Sequence, residues 1–290
     1  MDRITRRAYA KINLGLDVIK RRPDGYHEVK MIMQTVGIYD VLTFFRKKRR
    51  DKAPSITISM NNEELPCGEG NLIYKAAALT MEAFGIREGV EITLEKNIPI
   101  AAGMAGGSTD AAAVFHGMKE LFDLPMDLEE MKRLGVKIGA DVPYCIMGGT
   151  ALSEGIGEIL TPLAQPPAAH LLIARPDVGV STRFVYENLH ADTLRHHPDI
   201  DGMVKAIGEG NLEGITARME NVLETVTIRE YPVIRDIKEI MKEAGAMNAL
   251  MSGSGPTVFG VFDTEEAARA AYERVRETKL AKRLFVTEFV

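Results

Sequence analysis

Apolar and polar residues alternate along much of the first hundred positions, a period of two that predicts β-strands. Ile12, Leu14, Leu16 and Val18 hold alternate positions, a turn is expected at Arg22-Pro23-Asp24-Gly25, and Val29 to Val36 resumes the extended pattern. Proline presets φ in such a turn and glycine tolerates its positive values. From Asn71 to about Ala83 the period lengthens, with Leu72, Ala76 and Leu79 on one face of a predicted helix. Val90, Ile92 and Leu94 then alternate with Glu91, Thr93 and Glu95, predicting a strand. A glycine-rich stretch follows, and Ala111 to Leu121 is rich in helix formers, with Ser108, Thr109 and Asp110 placed to cap it.

A further helix is predicted from about Asp127 to Val136, then the segment Ile138-Gly139-Ala140-Asp141-Val142-Pro143, a strand at Thr150 to Ser153 and a glycine turn at Gly155 and Gly157. Thr161-Pro162-Leu163-Ala164-Gln165-Pro166-Pro167 reads as a linker, because proline stops helices and central strands alike. Two domains are therefore expected, 1–163 and 164–290. The second begins with a strand at His170 to Ala174 and helices near Thr182 to Asn188, Met203 to Gly208 and Ile234 to Ala244. Strands at Ala249 to Met251 and Thr257 to Phe262, a helix at Glu265 to Thr278 and a strand at Leu284 to Phe289 complete it. That order suits a ferredoxin-like α/β sandwich with inserted helices, and the chain as a whole reads as α+β.

Composition narrows the function. With 46% hydrophobic and 27% charged residues the 290-residue chain has ordinary globular composition, and its net charge of -5 argues against non-specific nucleic-acid binding. The basic run Arg46-Lys47-Lys48-Arg49-Arg50-Asp51-Lys52 reads as a solvated hairpin tip. Two cysteines, Cys67 and Cys145, make neither a disulfide framework nor a zinc site, and a cytoplasmic location is expected. No stretch approaches about 18 uninterrupted apolar residues. Arg3, Arg6 and Arg7 do not open a targeting peptide, since Lys11, Asn13 and Asp17 interrupt any apolar core.

The most informative segment runs from Pro99 through Ala101, Ala102, Gly103, Met104, Ala105, Gly106, Gly107, Ser108 and Thr109 into the alanine-rich helix. Glycines let a backbone approach a ligand and turn its N–H groups toward it, and a helix N-terminus adds roughly half a positive charge. The segment suits a phosphate chain. It is not a Walker loop, having no lysine after Gly106-Gly107, and not a Rossmann fingerprint, because position 105 is alanine.

Four other segments are ambiguous singly. In Ala8-Tyr9-Ala10-Lys11-Ile12-Asn13-Leu14, Lys11 and Asn13 share one face of a strand, at a solvated edge or on a polar cavity wall. Tyr26 and His27 follow the Pro-Asp-Gly turn and offer a ring face and hydrogen-bonding nitrogens to a planar ligand, or simply flank a surface turn. Asp141 stands among small and apolar residues, as a tuned carboxylate or a cap. Met251-Ser252-Gly253-Ser254-Gly255-Pro256-Thr257 is a tight turn between strands. The remaining histidines show no metal-ligand spacing, and no G-x-S-x-G elbow occurs.

Taken in order, these segments resemble the GHMP-type small-molecule kinases. Pro99 to Ala112 resembles the family's phosphate loop, and the Lys11 segment and the Gly253-Ser254-Gly255 turn its other two motifs. Ala10-Lys11-Ile12-Asn13, Asp24-Gly25-Tyr26-His27 and Gly139-Ala140-Asp141-Val142-Pro143 resemble the member that acts on a cytidine-diphosphate-linked methylerythritol. Asn71-Leu72-Ile73 and Glu154 to Pro162 extend the likeness over essentially the whole chain.

The resemblance implies an N-terminal domain like the second domain of ribosomal protein S5 beside the ferredoxin-like one. It implies ATP and Mg²⁺ as cofactors, with no protein metal ligand assigned, and γ-phosphoryl transfer to the 2-hydroxyl of 4-diphosphocytidyl-2-C-methyl-D-erythritol in the non-mevalonate isoprenoid pathway. Other acceptors of the family (homoserine, mevalonate) or a non-catalytic nucleotide sensor are the alternatives. Asp141 would be the general base and Lys11 the cation that keeps it ionised. Gly103 to Thr109, with Pro99, Ala101, Ala102, Asn71 and Lys96, would hold ATP. Tyr26, His27 and Tyr186 would recognise cytosine, and Asn13, Thr182 and Asp141 the rest of the substrate. Met33, where an aromatic residue is expected, and Ala101-Ala102, where glycine is common, depart from the pattern. A monomer or weak homodimer, free of nucleic acid and membrane, is expected.

Overall fold

The computed structural model describes residues 2–47, 55–62 and 64–290. Its contacts divide the chain into two compact units: Met1–Ala10, Ile38–Ile100 and Ala105–Met147 form the first, and Lys11–Gly37, Ala101–Met104 and Gly148–Val290 the second. The expected break at 163–164 is not where the chain divides, because two long strands, β1 (Arg3–Arg21) and β2 (His27–Lys47), each contribute to both units. The Pro-rich stretch expected to be a linker instead begins inside an edge strand. Most of the basic run expected at a hairpin tip, from Lys48 onward, lies outside the described residues.

In the first unit, β2 alternates cleanly: Ile38, Asp40, Leu42 and Phe44 are buried while their neighbours are not. Its second half pairs antiparallel with β4 (Gly89–Glu95), which pairs parallel with β3 (Ile56–Met60). Over this sheet lie α1 (Leu72–Ala83), α2 (Gly106–Phe122), α3 (Leu128–Gly135) and α4 (Val142–Met147). Leu42, Phe44, Ile92, Leu94, Phe115 and Met118 are among the residues that form their common core. Asn71 and Asp127 cap α1 and α3 as their sequences predict, each accepting a backbone N–H of the first turn.

Helix α2 begins earlier than expected, at Gly106 and not at Ala111. Its N-cap is Ala105, held left-handed at φ 55° with no side-chain cap, so Ser108, Thr109 and Asp110 fall inside the helix. Helix α4 was masked in the sequence by Gly139 and Pro143; proline in a first turn removes an N–H that has no partner there anyway.

The second unit pairs Met31–Gln34 of β2 with β5 (Thr150–Glu154), which pairs with β6 (Ile159–Pro162). Then follow β7 (His170–Pro176), α5 (Thr182–Asn188), α6 (Ile200–Gly208), α7 (Leu212–Thr216), α8 (Glu224–Glu230) and α9 (Val233–Glu243). The chain closes with β8 (Asn248–Met251), β9 (Val258–Phe262), α10 (Glu265–Thr278) and β10 (Ala281–Glu288). The three closing strands with β7 form an antiparallel sheet in the order β10-β7-β9-β8. That is the fourth, first, third and second strand of a βαββαβ unit, the ferredoxin-like order expected, with α5 to α8 inserted.

Small residues let α2 approach the sheet. Gly117 has no room for a side chain, since a Cβ there would lie 2.6 Å from ring atoms of Phe44. Gly117→Ala gains helix propensity of about 1 kcal/mol but overpacks a filled core at a cost of about 1–3 kcal/mol. Net destabilisation is expected in thermal melts; a raised melting temperature would contradict this packing.

Candidate active site

In the second unit, three sequence segments far apart in the chain are joined through one hydroxyl. Ser252 Oγ donates to the carbonyl of Gly103, 2.9 Å away, and accepts the backbone N–H of Asn13 at 3.3 Å. Lys11 N–H donates to the Met104 carbonyl. Gly103 must be glycine here on two counts: its φ is +73°, and a Cβ would stand 2.2 Å from the Ser252 carbonyl oxygen. The Lys11 strand, the phosphate loop and the third glycine turn are thus one hydrogen-bonded cluster.

That turn is braced from behind by Asn221, whose Nδ2 donates to the carbonyls of Met251 and Gly253 at 2.8 Å each. Ser254 shares a hydrogen bond of 2.8 Å with Thr182 at the start of α5. One turn further along α5 is Tyr186, whose ring centroid lies 5.1 Å from that of His27 at a tilt of 43°. Tyr26 beside it is 59% exposed, a free ring face. Burial lowers the His27 pKa, the Arg21 charge lowers it further and Asp192 opposes them, so at neutral pH the imidazole is uncharged and carries one donor and one acceptor nitrogen.

Lys11 and Asn13 are not at a solvated edge: both are buried, and Lys11 Nζ donates to Asn13 Oδ1 at 2.8 Å. Asn13 Nδ2 reaches Met31 Sδ at 3.2 Å, so its amide is engaged at both ends. Met33 is wholly buried in β2.

The first unit holds the rest of the loop and Asp141. Asp141 is half-buried, immediately before α4, and its carbonyl accepts the N–H of Cys145. Thr109 Oγ1 donates to the Tyr9 carbonyl at 2.7 Å, which commits that hydroxyl to β1 and leaves Ser108 as the half-buried hydroxyl of the first turn. Asn71 serves α1 as its cap and donates to the Pro66 carbonyl. Lys96 is buried between two carboxylates, with Nζ 2.6 Å from Oδ2 of both Asp40 and Asp110. Neither acid was foreseen. Asp40 betrays itself by parity, being the one charged residue in the buried alternation of Ile38, Leu42 and Phe44.

Among the described residues no group of three or more His, Cys, Asp or Glu side chains could hold a metal ion, and no helix is long and apolar enough to cross a membrane.

Comparison with known proteins matches this arrangement. The GHMP kinases N terminal domain covers residues 71–149 and the GHMP kinases C terminal domain residues 203–279. These define the class. The chain is 52% identical to 4-diphosphocytidyl-2-C-methyl-D-erythritol kinase of Lachnoclostridium phytofermentans, over 100% of this chain and 98% of that one. It is similar, at 33% identity and a TM-score of 0.82, to the crystal structure of a 4-(cytidine 5'-diphospho)-2C-methyl-D-erythritol kinase, covering 99% of each chain. A homoserine kinase from Cytophaga hutchinsonii shares the fold at a TM-score of 0.80 and 21% identity, covering 99% of this chain and 95% of that one. The chain belongs to the family of the 4-diphosphocytidyl-2-C-methyl-D-erythritol kinases.

The buried acid pair gives the site a pH signature. Burial pushes the Asp110 carboxyl well above the usual range, Lys96 opposes this and the Asp40 charge adds to it. A carboxyl with a raised native pKa contributes its full stability only below the unfolded value of about 3.9, and loses it as pH rises through the native value. Asp110→Asn has no proton to lose. Its melting temperature relative to the unmutated chain is expected to climb as pH rises from about 4 through the native pKa; parallel curves would contradict the assignment.

Proposed function

We propose that this chain transfers the γ-phosphoryl group of ATP to the 2-hydroxyl of 4-diphosphocytidyl-2-C-methyl-D-erythritol. The observation that carries the reading is the His27–Tyr186 ring pair, next in sequence to the exposed Tyr26, in a chain similar from end to end to kinases of that name. An acceptor without a planar base has no use for such rings. Stacking on aromatic side chains is worth roughly 1–3 kcal/mol per base, and a neutral His27 can both donate to and accept from a cytosine edge.

Ala105 to Ser108 meet the nucleotide phosphates with the freed N–H groups and positive end of α2. Asp141 takes the proton of the attacking hydroxyl, and Lys11 supplies positive charge that offsets charge on the transferring group. Such transfers depend mainly on positioning and electrostatics. Mg²⁺ supplies neutralisation of phosphate charge when bound. A Mg²⁺ that arrives on the nucleotide would keep most of its ligands from phosphate and water. Thr182 and the Asn13 region line the part of the substrate beyond the base.

Release of ADP from Mg-ATP tests the proposal. Release with the cytidyl alcohol but not with homoserine or mevalonate is expected; equal release with all three would sink it. Asp141→Asn is expected to fold normally and to lose about 10²–10⁴-fold in turnover, whereas a loss under about threefold removes it as the base. Tyr26→Ala is expected to weaken the cytidyl substrate by about tenfold or more with ATP affinity unchanged. Calorimetry that finds equal losses for both ligands would place Tyr26 in packing.

A further inference from the structure

Lys96 closes the strand that leads into the phosphate loop, and its ammonium is held at 2.6 Å by both Asp40 and Asp110. The three side chains are 4%, 0% and 4% exposed. Asp40 also accepts, through Oδ1, the backbone N–H groups of Asn97 and Ile98, the two residues before Pro99. Asp110 is four residues into α2 from Gly106 and shares its face. A Cβ on Gly106 would lie 3.0 Å from Lys96 Nζ, so the ammonium sits directly under the helix start. One cation is therefore bound to the chain entering the loop and to the helix leaving it.

Such an arrangement is a poor way to gain stability. Buried ion pairs roughly break even against well-packed apolar residues, while they do fix geometry. Here the geometry is bought at a visible cost, since Asp110 Oδ1 is buried with no hydrogen-bond partner. Lys96 is also spoken for. Two carboxylates enclose its Nζ, which does not suit a side chain that reaches out to a ligand.

We propose that Asp40, Lys96 and Asp110 are positioning residues that fix the two ends of the phosphate loop, and that Lys96 acts on the nucleotide through the loop and not by touching it. The inference rests on the loop binding ATP, and the two can fail separately. Direct contact by Lys96 predicts that truncating Asp110 leaves ATP binding alone, because Lys96 keeps Asp40. Positioning predicts the reverse.

Steady-state kinetics with ATP and the cytidyl alcohol decide between them. Asp110→Ala is expected to raise KM for ATP about tenfold, within the range that a small displacement of a binding group causes. KM for the alcohol and kcat should stay within about threefold. Asp110→Asn keeps an acceptor for Lys96 and should restore KM for ATP to within about threefold of the unmutated value. If Asp110→Ala does not fold, Asp110→Ser, too short to hold Lys96, carries the same expectation. An unchanged KM for ATP in the truncated variant, or an equal loss in Asp110→Asn, overturns the proposal. A purely structural role would lower the melting temperature and leave the KM values alone, which also overturns it. An unmutated chain that binds no ATP would overturn the kinase reading first and this one with it.

Discussion

The Ser252 hydroxyl is the contact on which the arrangement of the second unit's distant segments depends. It donates to Gly103 and accepts from Asn13, so a residue near the end of the chain sets the phosphate loop against the strand that carries Lys11. The backbones approach so closely that Gly103 tolerates no side chain. Asn221 braces the same turn and Thr182 ties it to α5, which carries Tyr186 to His27. One turn therefore joins Gly103 and Asn13 to the helix that carries Tyr186, all within one unit.

The first unit depends on a different constraint, the placement of the start of α2. No side chain caps α2; a left-handed Ala105 starts it, leaving the first N–H groups for something other than protein. Glycines at 106 and 117 and the buried Asp40–Lys96–Asp110 cluster hold the helix close to the sheet. The energetic logic is one of placement. The small residues and the buried ionic tie fix the start of α2 against the sheet of its own unit.

Much of this was legible in the sequence where a local rule governs. Period-two alternation gave β2 and β4, Asn71 and Asp127 marked their helix starts, and strand and helix order pointed to the ferredoxin-like sheet. The misses came where a tertiary contact overrides the local signal. The start of α2 was set five residues late because its cap is a backbone conformation and not a capping side chain. The prolines at 162, 166 and 167 suggested a linker, yet Pro162 ends β6, an edge strand, where a missing N–H costs nothing. The two partners of Lys96 lie 56 and 14 positions away, beyond the reach of any local pattern. Only Asp40, charged at a core parity, hinted at them.

The most direct measurement is ³¹P NMR of the reaction between Mg-ATP and 4-diphosphocytidyl-2-C-methyl-D-erythritol. The account predicts that the γ-phosphorus resonance of ATP gives way to one phosphomonoester per ADP, with the cytidine-linked diphosphate resonances retained. Inorganic phosphate in place of the monoester, or transfer that proceeds equally well to an acceptor without the cytidyl group, would contradict it.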